Sequence, residues 1–354
     1  MTAHSPRIFI TGATGFAGRH LIAHLNARGA AGRVEIFGSC FPERPEQCAE
    51  LCAAEPNTRL LYLDLRDASA VIDAVKAVKP GRIYHLAALS QVRLSWERRR
   101  EVFDVNLLGT YNLFEAARLN VPAARILFVS SSDVYGFSAP SGRALRETDR
   151  GGIVSPYAFT KRSGELLSEF YAVQEKLPVV IARPFPHTGP RQTPDFACSD
   201  WARQIALIEK SKPHDESAGM KSGQRSGPAD ARPEKPAGAA APVIRVGDVS
   251  LRRDYSDVRD VVRAYALLMK KGRPGEIYNV CSGRAPRLKW ILKTLLSFSK
   301  RRISYDIDPA RIRRVDISRL AGDNRKLRRE TGWSPTIPLD RTLSDLLEFW
   351  RARV

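Results

Sequence analysis

Short apolar runs alternate along this chain with longer stretches whose apolar residues recur every three or four positions. The short runs predict strands at 7–10, 34–37, 60–63, 82–86, 125–129 and 179–182. The longer periods predict helices between them, notably over 68–78, 102–119 and 156–175. Alternation of this kind predicts an α/β fold built on a doubly wound parallel sheet with helices on both faces. Beyond about residue 183 the pattern breaks into shorter pieces, which predicts a smaller lobe. Residues 211–241 stand apart: they hold no Ile, Leu, Val, Phe, Tyr or Trp. Such a segment buries too little apolar surface to offset its ordering entropy, so a disordered surface insertion is expected.

The first strand runs into Thr11-Gly12-Ala13-Thr14-Gly15-Phe16-Ala17-Gly18 and then a helical pattern. The glycines permit a tight turn, close backbone approach to a pyrophosphate and close helix–strand packing. The helix N-terminus adds free amides for phosphate. The spacing is G-x-x-G-x-x-G. It predicts a Rossmann-type nucleotide domain over 1–182, with Gly12, Thr14, Gly15, Phe16 and Gly18 at the cofactor, and a mixed substrate-binding lobe over 183–354. Asp64 and Leu65 end the third strand, on the adenine side of such a fold, and Leu86, Ala87 and Ala88 end the fourth with small residues beside the cofactor. His85 reads as a core histidine. A preference for NAD usually needs a carboxylate at the end of the second strand. Here Glu35 lies too early, and Gly38-Ser39-Cys40-Phe41 follows. Ser39, and Arg44 if the loop folds back, are candidates for a 2′-phosphate, so NADP(H) is expected, with NAD(H) tolerated.

Composition narrows the class. The chain has 354 residues, 43% hydrophobic and 27% charged, as in a globular protein. No apolar run approaches the roughly 20 residues that span a bilayer, and no secretory signal opens the sequence. A cytoplasmic protein without a membrane partner is expected. The net charge of +19 is spread along the chain without a nucleic-acid motif, so no nucleic-acid partner is expected and an anionic substrate is favoured. Arg98-Arg99-Arg100 reads as a solvated face. Five cysteines in no framework spacing predict reduced thiols, and no Cys/His set completes a metal site.

The chemistry centres on Tyr157 and Lys161 in Ser155-Pro156-Tyr157-Ala158-Phe159-Thr160-Lys161. On a helix this spacing puts both on one face, one turn apart. An ammonium there is expected to pull the phenol down toward neutrality, ready to exchange a proton with a carbonyl or alcohol. Ser130-Ser131-Ser132-Asp133-Val134-Tyr135-Gly136 ends the fifth strand, at the edge where open α/β sheets place their sites.

With these motifs in this order, and with Ala182-Arg183-Pro184-Phe185 and the 246–265 and 277–283 stretches, the sequence resembles the extended short-chain dehydrogenase/reductase family of nucleotide-sugar enzymes. The C-terminal motifs are most similar to members that reduce the C4 keto group of a GDP-4-keto-6-deoxyhexose. The resemblance implies Ser131, Tyr157 and Lys161 as catalytic groups, Lys161 also holding the nicotinamide ribose, with Asn106 ordering the proton path. It implies a GDP-linked sugar held by Ser90, Ser131, Arg191, Arg253, Arg313 and Asp316, and a homodimer. An alternative is a GDP-mannose 4,6-dehydratase, which needs a carboxylate two residues after the catalytic hydroxyl; Asp133 stands there. A silent sugar-nucleotide binder is a third reading, supported by Pro186, where the family usually has Asn.

Overall fold

The computed structural model describes residues 6–28, 34–41, 43, 45–136, 143–211, 241–312 and 317–354. The insertion expected over 211–241 lies outside these residues apart from its two ends, as do Arg44, Arg313 and Asp316.

Six strands follow the predicted order: β1 Arg7–Thr11, β2 Glu35–Cys40, β3 Thr58–Tyr62, β4 Arg82–His85, β5 Arg125–Val129 and β6 Val179–Pro184. Three short strands come next, β7 His187–Thr188, β8 Val243–Val246 and β9 Arg252–Arg253, then β10 Ser256–Asp257 and β11 Ile277–Val280. The main sheet has seven strands in the order β11-β6-β5-β4-β1-β2-β3, all parallel. Strand β11 was not among the predicted strands, and it comes from beyond residue 182. A break there therefore does not separate the sheet from the rest of the chain. β11 is four residues long and wholly buried, so it carries no alternating pattern to read.

Helices cover both faces. On one side lie α1 Phe16–Arg28 and α2 Pro45–Ala54, on the other α3 Ala68–Val78. The stretch predicted as one helix over 102–119 is three pieces. After α4 Val92–Glu97 come α5 Arg99–Phe103, a π-helical turn Asp104–Leu108 and α6 Gly109–Asn120. Gly109 lets that turn close on the loop after β3: a Cβ there would lie 2.9 Å from the Leu65 Cβ. α7 Pro156–Val173 starts from Ser155, whose hydroxyl accepts the Ala158 N–H at 3.0 Å, with Pro156 in its first turn.

The remaining helices are α8 Ala197–Lys210, α9 Val258–Lys271, α10 Leu288–Ser297, α11 Arg325–Thr331 and α12 Leu339–Arg351. α9 returns to the sheet, where Val258, Val261, Val262 and Tyr265 join Ile8, Ile10, Leu21 and Val180 in one core. Phe9, Val71, Val75, Leu113, Phe128 and Ile181 fill the opposite face. α8, α10 and α12 pack around a further core that includes Trp201, Ile205, Ile291 and Leu346.

Two expectations about β2 change. The strand runs on to Cys40 rather than stopping at Phe37, because Gly38 fits where a Cβ would sit 2.6 Å from the Ala13 Cβ. The extension brings Cys40 over α2, and the structure joins Cys40 to Cys48, with Cα atoms 6.4 Å apart. These two are thus not free thiols; Cys52, Cys198 and Cys281 are.

Candidate functional site

The glycine turn is built for close approach. Gly12 has φ +70°, and a Cβ on it would lie 2.8 Å from the Ala87 backbone. Both facts demand glycine. The Ala87 N–H donates to Thr11 Oγ1 at 3.3 Å, so the end of β4 is laid against the turn as expected for Leu86, Ala87 and Ala88. The Gly15 N–H donates to the Gly12 carbonyl at 3.1 Å, and Arg19 holds the Thr14 carbonyl at 2.9 Å. Phe16 stacks on His187 with ring centres 5.8 Å apart, which ties the turn to the segment after β6. In that segment the Pro186 carbonyl accepts the Ser256 N–H at 3.0 Å. A cradle that one Cβ would fill, at the N-terminus of a 13-residue helix, fits a dinucleotide pyrophosphate.

At the adenosine side the picture departs from expectation. Ser39 is buried, and its hydroxyl accepts the Gly12 N–H at 3.3 Å. It props the turn and does not stand at the open edge. Phe41 follows the strand end, with the Arg66 guanidinium 5.7 Å from its ring. Arg66 also grips the Asp64 carboxylate, with Nε 2.8 Å from Oδ2. That bond holds Asp64 below the usual carboxylate range against the effect of its partial burial. Asp64 is therefore engaged by a neighbouring side chain, and the Leu65 carbonyl accepts from Asn112 at 2.8 Å. A cavity of about 520 Å³ opens here, lined by Phe41, Arg66 and the Arg98–Arg100 run among others.

At the carboxyl end of β5, Ser131 caps a short turn, Ser132–Tyr135, by accepting the Asp133 N–H at 3.1 Å. Tyr157, in the first turn of α7, brings its phenol to the Ser131 side chain. The phenol is buried, and burial pushes it above its ordinary value; the nearby Asp133 charge adds to this and the Ser131 side chain opposes it. The expected lowering by Lys161 is not seen. Lys161 turns its ammonium to the Val129 carbonyl, 2.8 Å away, and over the Phe128 ring at 5.4 Å. Burial pushes Lys161 down to about 8, against the field of Glu165.

Asn106, on the π-helical turn, is buried and fully engaged. It accepts the Leu89 N–H at 2.8 Å and donates to the Leu89 carbonyl at 3.2 Å and to Thr160 Oγ1 at 3.1 Å. Thr160 in turn donates to the Tyr157 carbonyl at 2.9 Å. Asn106 thus ties the loop after β4 to the helix that carries Tyr157.

His85 is a core residue, as read. Thr110 gives its proton to the Asn106 carbonyl at 2.6 Å, so it accepts from His85 Nε2 at 2.9 Å. His85 Nδ1 then accepts from Thr11 at 2.7 Å. Burial, with Lys161 adding, pushes this imidazole down to about 3, so it is neutral.

The substrate candidates are more scattered. Ser90 is exposed on the loop that Asn106 anchors. Arg191 is exposed with φ +73°. Arg253 is buried and donates to the Ile317 carbonyl at 2.6 Å, so its guanidinium supports the neighbouring loop. Sequence reasoning did not bring together Glu165, Arg183, Tyr135 and Asn279, which are buried together behind the site. The one signal was spacing, since Glu165 lies one turn beyond Lys161.

The sequence matches the NAD dependent epimerase/dehydratase family over residues 8–281, and a GDP-mannose 4,6 dehydratase family over 235–346. It is 30% identical to a GDP-6-deoxy-D-mannose reductase of Pseudomonas aeruginosa, covering 98% of each chain. It is 28% identical to a dTDP-4-dehydro-6-deoxy-D-allose reductase of a Streptomyces species, covering 89% of each. The solved structure of RMD from Pseudomonas aeruginosa complexed with NADPH superposes with a TM-score of 0.76 at 28% identity, over 99% of this chain and 100% of that one. With the parallel seven-stranded sheet and the glycine cradle, these matches establish that the chain belongs to the NAD dependent epimerase/dehydratase family and is an NAD(P)-dependent nucleotide-sugar oxidoreductase.

Proposed function

We propose that the chain reduces the C4 keto group of GDP-4-keto-6-deoxy-D-mannose, giving GDP-D-rhamnose or a related GDP-linked 6-deoxy sugar. The nicotinamide cofactor, when bound, supplies the hydride. Ser131 orients the keto oxygen by a hydrogen bond, and Tyr157 gives its proton to that oxygen as negative charge develops. Lys161 holds the nicotinamide ribose. Asn106 orders the loop beside them through Leu89 and Thr160. The observation that carries the reading is the meeting of the Ser131 side chain, at the strand end, with the buried Tyr157 phenol on α7. A neutral phenol is the form that donates a proton, as a reductase requires. The similarity to the Pseudomonas reductase supports the choice of sugar.

Asp133 keeps the dehydratase in view, because its charge reaches Tyr157 and elimination needs a carboxylate there. Two incubations separate the readings. Oxidation of NADPH with the 4-keto sugar nucleotide marks a reductase. Conversion of GDP-mannose without net use of cofactor marks a dehydratase, and no turnover of either marks a silent binder.

For the cofactor, NADPH is the preferred form in this reading. Phe41 stands where a carboxylate would repel a 2′-phosphate, and Arg66 lies beside it. Ser90, Arg191 and Arg253, with Arg313 and Asp316 from the undescribed stretch, remain the proposed contacts of the GDP-sugar. The partner in solution is a second copy of this chain. α6 and α7 lie side by side, and together with the π-helical turn they expose Leu108, Tyr111 and Leu119 beside Phe159, Leu166, Phe170 and Val173. An apolar stripe of this length on neighbouring helices suits a self-complementary interface.

A further inference from the structure

Glu165 lies on α7 one turn beyond Lys161 and is wholly buried. Both its oxygens are saturated. Oε1 accepts from Ser130 Oγ at 2.7 Å and from Arg183 Nε at 2.6 Å. Oε2 accepts from Arg183 and from Arg162, each at 2.8 Å. Ser130 immediately precedes Ser131. Arg183 sits on β6 with its guanidinium 4.8 Å from the Tyr135 ring centre and donates to the Glu147 carbonyl at 3.0 Å. The Tyr135 hydroxyl donates to Asn279 Oδ1, on β11, at 2.6 Å. One carboxylate therefore ties α7 directly to the ends of β5 and β6, and Arg183 and Tyr135 extend the tie to β11. A buried ion pair is weak evidence of stability, and its best-attested use is to fix register. The register fixed here is that of the helix bearing Tyr157 and Lys161 over the strand end bearing Ser131.

We propose that Glu165 is a positioning residue of the reducing site: it locks α7 against the Ser131 strand end and sets a buried carboxylate one helical turn from Lys161.

The groups around Lys161 support the second part. On α7 they are Tyr157, Arg162 and Glu165; elsewhere they are neutral His85 on β4, Asp133 on the turn after β5 and Arg183 on β6. The other carboxylates on the helical elements packed along α7, Glu97, Glu101, Asp104 and Glu115, are paired with Arg93, Arg98, Arg100 and Arg118. Glu165 is the carboxylate whose field raises Lys161 against burial. The ammonium is present below its midpoint and lost above it, so removing Glu165 moves that loss to lower pH.

The proposal rests on the reading of Lys161 as the ribose-holding group. NADPH binding reads it without reference to any sugar, so failure of the substrate assignment leaves the result standing. The experiment is a fluorescence titration of the full chain with NADPH between pH 6 and 10. Wild type is expected to lose affinity as pH rises through about 8. In Glu165→Gln the loss is expected about one pH unit lower, the scale of one opposite charge at short range. Glu165→Asp keeps the charge and is expected to hold the wild-type midpoint. Ser130→Ala cuts one bond but keeps the charge, and it too is expected to hold the midpoint. If the lone Arg183 cation prevents Glu165→Gln from folding, Glu165→Gln is made in an Arg183→Met background and compared with Arg183→Met alone, so that only the carboxylate charge differs, and the loss is again expected at lower pH. A wild-type pH profile in the folded Gln variant overturns the proposal.

Discussion

The Ser131 side chain meets the Tyr157 phenol across the gap between the end of β5 and the first turn of α7. Burial keeps that phenol protonated, and in the proposed reaction its proton goes to the keto oxygen of the substrate. Tyr157→Phe removes the proton and leaves the ring in place. Its kcat is expected to fall by roughly 10²–10⁴-fold, the usual contribution of a general acid. NADPH affinity is expected to stay close to wild type. Turnover near wild type in this variant would remove Tyr157 from the chemistry.

Gly12 combines a left-handed backbone with close packing in the cofactor cradle. Its φ is +70°, and a Cβ there would lie 2.8 Å from the Ala87 backbone, which leaves no room for alanine. Strain of this kind costs about 1–3 kcal/mol. Gly12→Ala is expected to bind NADPH at least about tenfold more weakly, since about 1.4 kcal/mol is tenfold in affinity. A fluorescence titration checks it. Unchanged affinity would mean that the turn does not carry the pyrophosphate.

The apolar stripe on α6 and α7 gives a separate expectation. Leu166 and Phe170 are each 52% exposed and lie one turn apart. A charge at both positions, Leu166→Glu with Phe170→Glu, is expected to halve the mass seen in sedimentation without unfolding the chain. A wild-type mass in the double variant would place the contact between copies elsewhere.

Much of this was legible in the sequence because it rests on local pattern. Six of the seven sheet strands carry apolar runs, and the glycine turn and the Tyr157–Lys161 spacing are each read within one element. What stayed hidden depends on contacts between distant parts. β11 is a short buried strand that only the sheet reveals. Ser39 looked free at a strand end, but β2 runs one residue past it and its hydroxyl turns to Gly12. Spacing put Lys161 beside Tyr157 but could not show that its ammonium turns to Val129. The Glu165–Arg183 pair joins residues on different elements, and no periodicity announces it. The charge of Arg66 is visible in the sequence, but its position over Phe41 is not.

The most direct test of the account follows deuterium from cofactor to sugar. The chain is incubated with C4-deuterated NADPH and GDP-4-keto-6-deoxy-D-mannose, and the product is read by NMR. The account predicts one deuterium on C4 of a 6-deoxyhexose, with one NADPH oxidised per sugar reduced. No NADPH oxidation with this substrate, together with conversion of GDP-mannose to its 4-keto-6-deoxy form without net use of cofactor, would contradict it.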